Sequence, residues 1–371
     1  MVIMALDHVR DYFHFSAFFF DPADPTQSTL PIFFTRWITH FCAPAFSFLA
    51  GLSAFMVGKR KTQSQLSRFL FSRGLWLVFI EVTVVTFAWL FDIQFRTILL
   101  VTIWSLGASM IALSVLIYFP KKIILIFSCL LIFAHNLLDT FHYDGNLLWA
   151  LLHEQAFYTL SDHFQLLVGY PIIPWIAVMS LGYYFGSYYD QSFDSTKRKK
   201  LFNLIGFSAL ALFILLRWTN VYGDPTPYIP STTFSQNIIS FLNPNKYPPS
   251  LLYLLMTLGA TLVFLANSEK WKGRIVKFFS LFGRVPFFYY IIHLYVIHLL
   301  ALLLAGLTGF GWQFFIFSTW IAFVPNMTGY GVSLLMVYVI WIAIILLLYP
   351  LCKWFDNYKQ NHKEKWWLSY L

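Results

Sequence analysis

The chain has 371 residues, of which 59% are hydrophobic and only 11% charged, and its mean hydropathy is +0.67. A soluble domain carries about 25% charged residues, and no soluble fold of this length could keep so much apolar surface from water, so the solvent implied is lipid. The net charge of +9 does not point to nucleic acid, because membrane proteins gather Lys and Arg in cytoplasmic loops for topological reasons.

Residues 1–20 form a first candidate span, interrupted by the polar cluster Asp7-His8-Val9-Arg10-Asp11. That cluster sits where the apolar core of a removable signal peptide should be. Further apolar runs of membrane-spanning length follow near 31–57, 69–91, 98–119, 123–138, 164–189, 201–219, 251–267, 281–305 and 332–352. The fold expected is all-α, a polytopic membrane bundle of about ten transmembrane helices. The segments between spans are too short and too apolar for a soluble domain, so residues 1–371 read as one transmembrane unit without repeats. The three cysteines, Cys42, Cys129 and Cys352, lie inside apolar runs and show neither disulfide nor metal spacing.

Of the 25 basic residues, 20 fall on alternate loops, in 59–73, 121–122, 197–200, 270–284 and 353–365. This asymmetry predicts a multi-pass protein of the cell (cytoplasmic) membrane with both termini cytoplasmic. The five exceptions are Arg10, Arg36, Arg96, Arg217 and Lys246, all toward the outer side. Every histidine except His362 also falls in the membrane or toward that side, so polar chemistry concentrates in the outer half.

The densest constellation is Asp7-His8-x-Arg10-Asp11-x-x-His14, which places Asp7, Asp11 and His14 on one helix face. The second span opens with Arg36 and His40, i,i+4 neighbours, and the short loop between the two spans brings both clusters together. Charges in a span are costly, so they face one another or a cavity, and snorkelling helix ends alone need fewer of them. Glu81 lies within an apolar span, where it serves either as a functional carboxylate or as a hydrogen-bonded core group. His293 and His298 are about 140° apart on their helix and cannot share a narrow site; His293, one turn after Tyr289 and Tyr290, is favoured. His153-Glu154 is not a zinc-protease motif, since position 157 is Phe. His135, Asp139, His142 and Asp144 read as solvated loop polarity, and no metal is expected.

Several of these stretches resemble a known family. Ala5-Leu6-Asp7-His8-Val9-Arg10-Asp11-Tyr12-Phe13-His14 looks like its first-helix motif, and Arg36 to Pro44 with Phe48-Leu49-Ala50-Gly51 looks like its second. Tyr170 to Trp175, Lys246 to Ser250, Gly283 to His293 and Trp366 to Leu371 also match. Across essentially the whole chain the sequence is similar to bacterial membrane proteins of the heparan-alpha-glucosaminide N-acetyltransferase-like family. The resemblance implies transfer of an acyl group from cytoplasmic acyl-CoA (acetyl-CoA) to an outer-side acceptor, a sugar, a glycan or another small molecule.

His8 matches the position expected for the catalytic His of the wider acyltransferase superfamily. The animal enzymes place theirs in the following loop, where this chain has none, and His14 is the nearest alternative. An Arg-Gly pair usually precedes the motif by about three turns; its absence leads to the expectation of a truncated or half-length first helix. The assignments are His8, Asp7, Asp11 and Arg10 for catalysis, with Arg36, His40, His14, Glu81 and His293 for substrate binding. A His can act as base or nucleophile, a carboxylate can fix its tautomer, and an Arg can face an oxyanion.

The expected partners are the bilayer, acyl-CoA, the acceptor and, as an open alternative, a second copy in a homodimer. A proton-coupled transporter with His8, Asp11 and Glu81 as relay groups is the rival reading; a scaffold without chemistry leaves the outer charges unexplained. The topology is directly testable. Reporter fusions at Lys61, Lys199 and Lys272 should read cytoplasmic and those at Gly145 and Asn237 external; opposite readings at two or more of these sites refute it.

Overall fold

The computed structural model describes residues 1–324 and 327–370. Pro325 and Asn326 of the 306–331 loop, and Leu371 of the C-terminal motif, lie outside the described residues. Among the described residues, seven helical segments are long and apolar enough to cross a membrane: Leu30–Gly58, Gln63–Leu90, Lys121–Thr140, Ser195–Thr219, Leu251–Ser268, Pro286–Leu307 and Leu334–Asn361. The chain is a multi-pass membrane protein and an all-α helical bundle, as its composition predicts.

The helices run in chain order as α1 (Val2–Phe13), α2 (Leu30–Trp37), α3 (Cys42–Gly58), α4 (Gln63–Ile80), α5 (Thr86–Leu90), α6 (Thr102–Leu116), α7 (Lys121–Ala134), α8 (Leu147–Leu152) and α9 (Trp175–Gly186). Then come α10 (Ser195–Thr219), α11 (Phe234–Leu242), α12 (Leu251–Ser268), α13 (Arg274–Arg284), α14 (Pro286–Leu307) and α15 (Leu334–Asn361). Helix α1 has 12 residues, about 18 Å at the helical rise, and packs against α14 and α15. Trp341 of α15 donates its indole N–H to the carbonyl of Val2 at 2.8 Å.

Two expected spans begin differently. The stretches at 98–119 and 164–189 open as strands, β1 (Thr97–Leu100) and β3 (Phe164–Val168), before turning helical at Thr102 and Trp175. With β2 (Ala156–Ser161) they form a sheet of order β1-β3-β2, parallel between β1 and β3 and antiparallel between β3 and β2. Hydropathy alone cannot separate a buried strand from a buried helix turn, so both read as continuous spans. Near 281–305, Pro286 starts a new helix after the amphipathic α13.

The loops separate into two faces, each bonded within itself. On one, Lys59 pairs with Asp190 at 3.2 Å, Arg284 with Asp356 at 2.8 Å, and Arg198 with Glu269, while Gln63 reaches the carbonyl of Ile117 at 2.7 Å. This is the basic face. On the opposite face lie the sheet and the bonds from Tyr222 to the Phe133 carbonyl (2.6 Å) and from Asn243 to that of Ala23 (3.1 Å).

Helix ends in lipid need partners for their free carbonyls. Helix α5 ends at Leu90, and its last three carbonyls are all taken. His298 Nδ1 meets that of Ala88 at 2.9 Å, Tyr12 donates to Trp89 at 2.6 Å, and Phe317 N–H donates to Leu90 at 2.8 Å. His298 thereby acts as a helix cap. Pro44 lacks the N–H that would bond the His40 carbonyl, and the hydroxyl of Tyr253 occupies it at 2.6 Å.

Helices α3 and α9 approach at backbone distance. A Cβ on Gly51 would stand 1.8 Å from the Met179 carbonyl oxygen, and one on Gly182 would stand 1.9 Å from that of Phe48. Small residues let membrane helices touch in this way. Gly51→Ala therefore forces the helices apart and should cost about 1–3 kcal/mol or more, read as a lowered thermal midpoint in detergent. Gly283→Ala, whose Cβ meets nothing within 4 Å, should leave the midpoint unchanged. Equal midpoints for the two variants contradict the close crossing.

Candidate active site

The site is built on the opposite-face half of α1, where Asp7, His8 and Arg10 are buried. Asp7 is buried, and its carboxylate accepts from Arg10 at 3.0 Å and from Arg36 at the end of α2. Arg10 also reaches Asp11 at 2.5 Å. Two carboxylates and two guanidiniums thus neutralise one another, and Arg36 ties the first helix to the second. Removing one partner of such a buried set costs about 3–5 kcal/mol, because the remaining charge has no water to return to. Arg36 also donates to the hydroxyl of Tyr247 at 3.5 Å.

Beside this network stands a histidine pair. His8 Nδ1 lies 2.8 Å from His293 Nε2, and the two nearly parallel rings meet edge to edge with centroids 4.9 Å apart. His293 Nδ1 lies 2.9 Å from the carbonyl oxygen of Tyr289, one turn earlier on α14. A ring nitrogen facing a carbonyl carries the hydrogen. No carboxylate touches fully buried His293 among the described residues, so its neutral form holds and Nε2 is an acceptor. His8 therefore donates from Nδ1, and its lone pair sits on Nε2, which has no hydrogen-bond partner among the described residues. The edge of Trp89 borders the ring, with centroids 4.8 Å apart. The chain has fixed one His in the tautomer that can accept a proton or attack a carbonyl carbon.

The remaining expected residues distribute as follows. His40 is buried on the short tight-helical turn between α2 and α3, its ring 5.6 Å from that of Tyr253 and its Nδ1 without a hydrogen bond. It lies within electrostatic reach of Arg36 and Asp7. His14 leaves the helix: its backbone pairs with Val332 and its Nδ1 takes the Ser16 hydroxyl at 2.7 Å, so it does not share the face of Asp7 and Asp11. Glu81 starts a π-helical turn, and its Oε2 accepts the N–H of Trp104 at 2.6 Å. There it caps α6, with no contact to the α1 charges among the described residues. His298 caps α5, away from His8, in keeping with the angle between it and His293.

Two residues beside the site were not among the sequence candidates. Lys246 is within electrostatic reach of His8 and Asp7, and its ammonium sits 5.1 Å from the Tyr247 ring centre. Tyr247 also meets Tyr170 edge-on at 5.3 Å. Burial pushes the Tyr247 hydroxyl up, but Lys246 and Arg36 outweigh it and hold the hydroxyl below the usual tyrosine value. The signal was present: Lys246 is one of the five basic residues off the basic face. Of those five, Arg96 pairs with Asp92 at 2.9 Å, and Arg217 is clasped by the carbonyls of Thr226 (2.7 Å) and Ser240 (2.6 Å). Among the described residues Lys246 has no carboxylate partner.

The model of the family described as heparan-alpha-glucosaminide N-acetyltransferase, catalytic, matches residues 3–217, more than half of the chain. The chain belongs to this family. Neither the curated proteins nor the solved structures compared with it include a match. The match contains Asp7, His8, Arg10, Asp11 and Arg36, whereas Lys246, Tyr247 and His293 come from beyond it. Membership indicates a membrane acetyltransferase, a chemistry that needs a base or nucleophile and a positively charged oxygen site.

The tautomer relay makes a prediction. His293→Leu should lower acetyl-transfer kcat by about 10²-fold, since His8 is then free to place its hydrogen on Nε2. His293→Gln should lose less, because its amide oxygen accepts the same N–H. Equal losses in the two variants, with both proteins folded, contradict the relay.

Proposed function

We propose that the protein moves an acetyl group from acetyl-CoA, entering from the basic face, to a hydroxyl or amine of a sugar, glycan or other small acceptor at the opposite face. In this reading the basic face and both termini are cytoplasmic, and residues 1–371 act as one catalytic unit in the cell membrane. The observation that carries it is the 2.8 Å His8–His293 hydrogen bond, which leaves a free Nε2 lone pair inside a lipid-embedded bundle.

His8 Nε2 takes the acceptor's proton as the acceptor attacks the thioester carbonyl, or itself attacks that carbon and forms an acetyl-imidazole. In either route the C–S bond breaks, CoA leaves as the thiolate, and the acetyl group ends on the acceptor's oxygen or nitrogen. The carbonyl oxygen gains negative charge on the way. Arg36, Lys246 and the Tyr247 hydroxyl supply the positive charge and hydrogen bonding that such an oxygen needs. Asp7 and Asp11 hold Arg10 and Arg36 in place. Arg36 serves two partners, a carboxylate and a phenol, which suits the planar fork of a guanidinium.

Radiolabelled acetyl-CoA, added to the purified protein in proteoliposomes with an amino-sugar acceptor, should yield acetylated sugar. His8→Ala should reduce turnover by about 10²- to 10⁴-fold while the protein stays folded in the membrane. Arg36→Lys should also impair it, because an ammonium cannot bridge Asp7 and Tyr247. Wild-type turnover in His8→Ala removes His8 from the mechanism. Proton-coupled solute uptake without acetyl transfer would favour a transporter instead.

A further inference from the structure

We propose that the start of α4 on the basic face is a binding site for the phosphate group of an anionic membrane lipid. A cavity of about 400 Å³ opens there, and Arg60, Lys61, Arg68, Ser64 and Ser72 line it together with the ring of Phe69. The backbone beneath it is fixed. Thr62 caps the helix by accepting from the Gln65 N–H at 3.3 Å, and the Gln65 side chain returns the bond at 3.0 Å. Lys61 lies over Phe69 at 5.6 Å, which orders the ammonium at the rim.

Convergence sets this place apart, since most cations of the basic face, Lys59, Arg198 and Arg284 excepted, lack a carboxylate partner among the described residues. Arg60, Lys61 and Arg68 have none among the described residues, yet three cations converge on one cavity. Each exposed Lys or Arg at a cytoplasmic surface attracts anionic lipid by about 1 kcal/mol, so the positive-inside effect alone gives diffuse attraction. A cavity with three cations and the Ser64 hydroxyl offers instead a defined place for a phosphate.

The rest of the helix selects the source of that phosphate. Phe71, Leu75 and Phe79 are 47%, 49% and 56% exposed. Counting from Arg68 they stand at i+3, i+7 and i+11, so they continue the same helix face into the bilayer. A basic end followed by an exposed apolar stripe matches a molecule with an anionic head and apolar chains. A soluble nucleotide would use only the head of this arrangement.

The test is native mass spectrometry of the full chain in detergent, titrated separately with phosphatidylglycerol and phosphatidylcholine. Arg60→Gln/Arg68→Gln should weaken phosphatidylglycerol binding by about 100-fold, the loss of two charge-assisted contacts to the phosphate, and Arg60→Lys/Arg68→Lys should largely restore it. Lys199→Gln/Lys200→Gln, which removes equal charge from another basic loop, should leave it within about twofold. Equal loss in the two charge-removing variants overturns the proposal, as does equal affinity for phosphatidylcholine. Displacement of the lipid by 3′,5′-adenosine bisphosphate also overturns it, by assigning the cavity to a soluble phosphate.

Discussion

Asp7 is a carboxylate placed among helices where water cannot solvate it, and two guanidiniums answer it from different directions. Arg10 comes from its own helix, one turn on, and Arg36 from the helix that follows. In a low-dielectric interior a charge that loses its partner costs several kcal/mol, so these contacts fix how α1 and α2 sit together. Helix α1 also packs directly on α14 and α15, which brings His8 to His293, while Arg36 carries the same network on to Tyr247.

The same demand operates on the backbone. The carbonyls left free at the end of α5 are satisfied by His298, Tyr12 and the Phe317 N–H, from three separate parts of the chain. The carbonyl freed by Pro44 is satisfied by Tyr253. Glu81 serves the N–H of Trp104. Polar side chains that complete helix ends, such as His298, Tyr253 and Glu81, are thus distinct from those that surround His8. His293 and His298 are close in sequence and belong to different groups.

Much of the architecture was legible in the sequence because lipid imposes a simple rule on hydropathy and loop charge. Each expected span contains a helix, and the loops separate into two faces. The strands at Thr97 and Phe164 were hidden because a short buried strand and a buried helix turn have the same composition. At the site, Asp7, His8, Arg10 and Arg36 were visible as charges that an apolar helix does not tolerate without cause. Lys246 and Tyr247 were not selected, since a basic residue in a loop looks ordinary until the fold brings it beside His8. Glu81 stood out for the same reason as His8, yet its contact is with a helix end. Sequence shows where a buried charge is; only the contact shows what it serves.

The two histidines stand 285 residues apart, which gives the site a history as well as a geometry. During synthesis α1 is made before α14, so until α14 exists its acidic and basic residues have only nearby partners. Arg10, between two aspartates on the same helix, provides that interim neutralisation from the first turns onward. Arg36 joins when the second span is inserted. His8 meets His293 only once most of the chain has been made, so an incompletely synthesised protein carries the charges of α1 without the histidine pair.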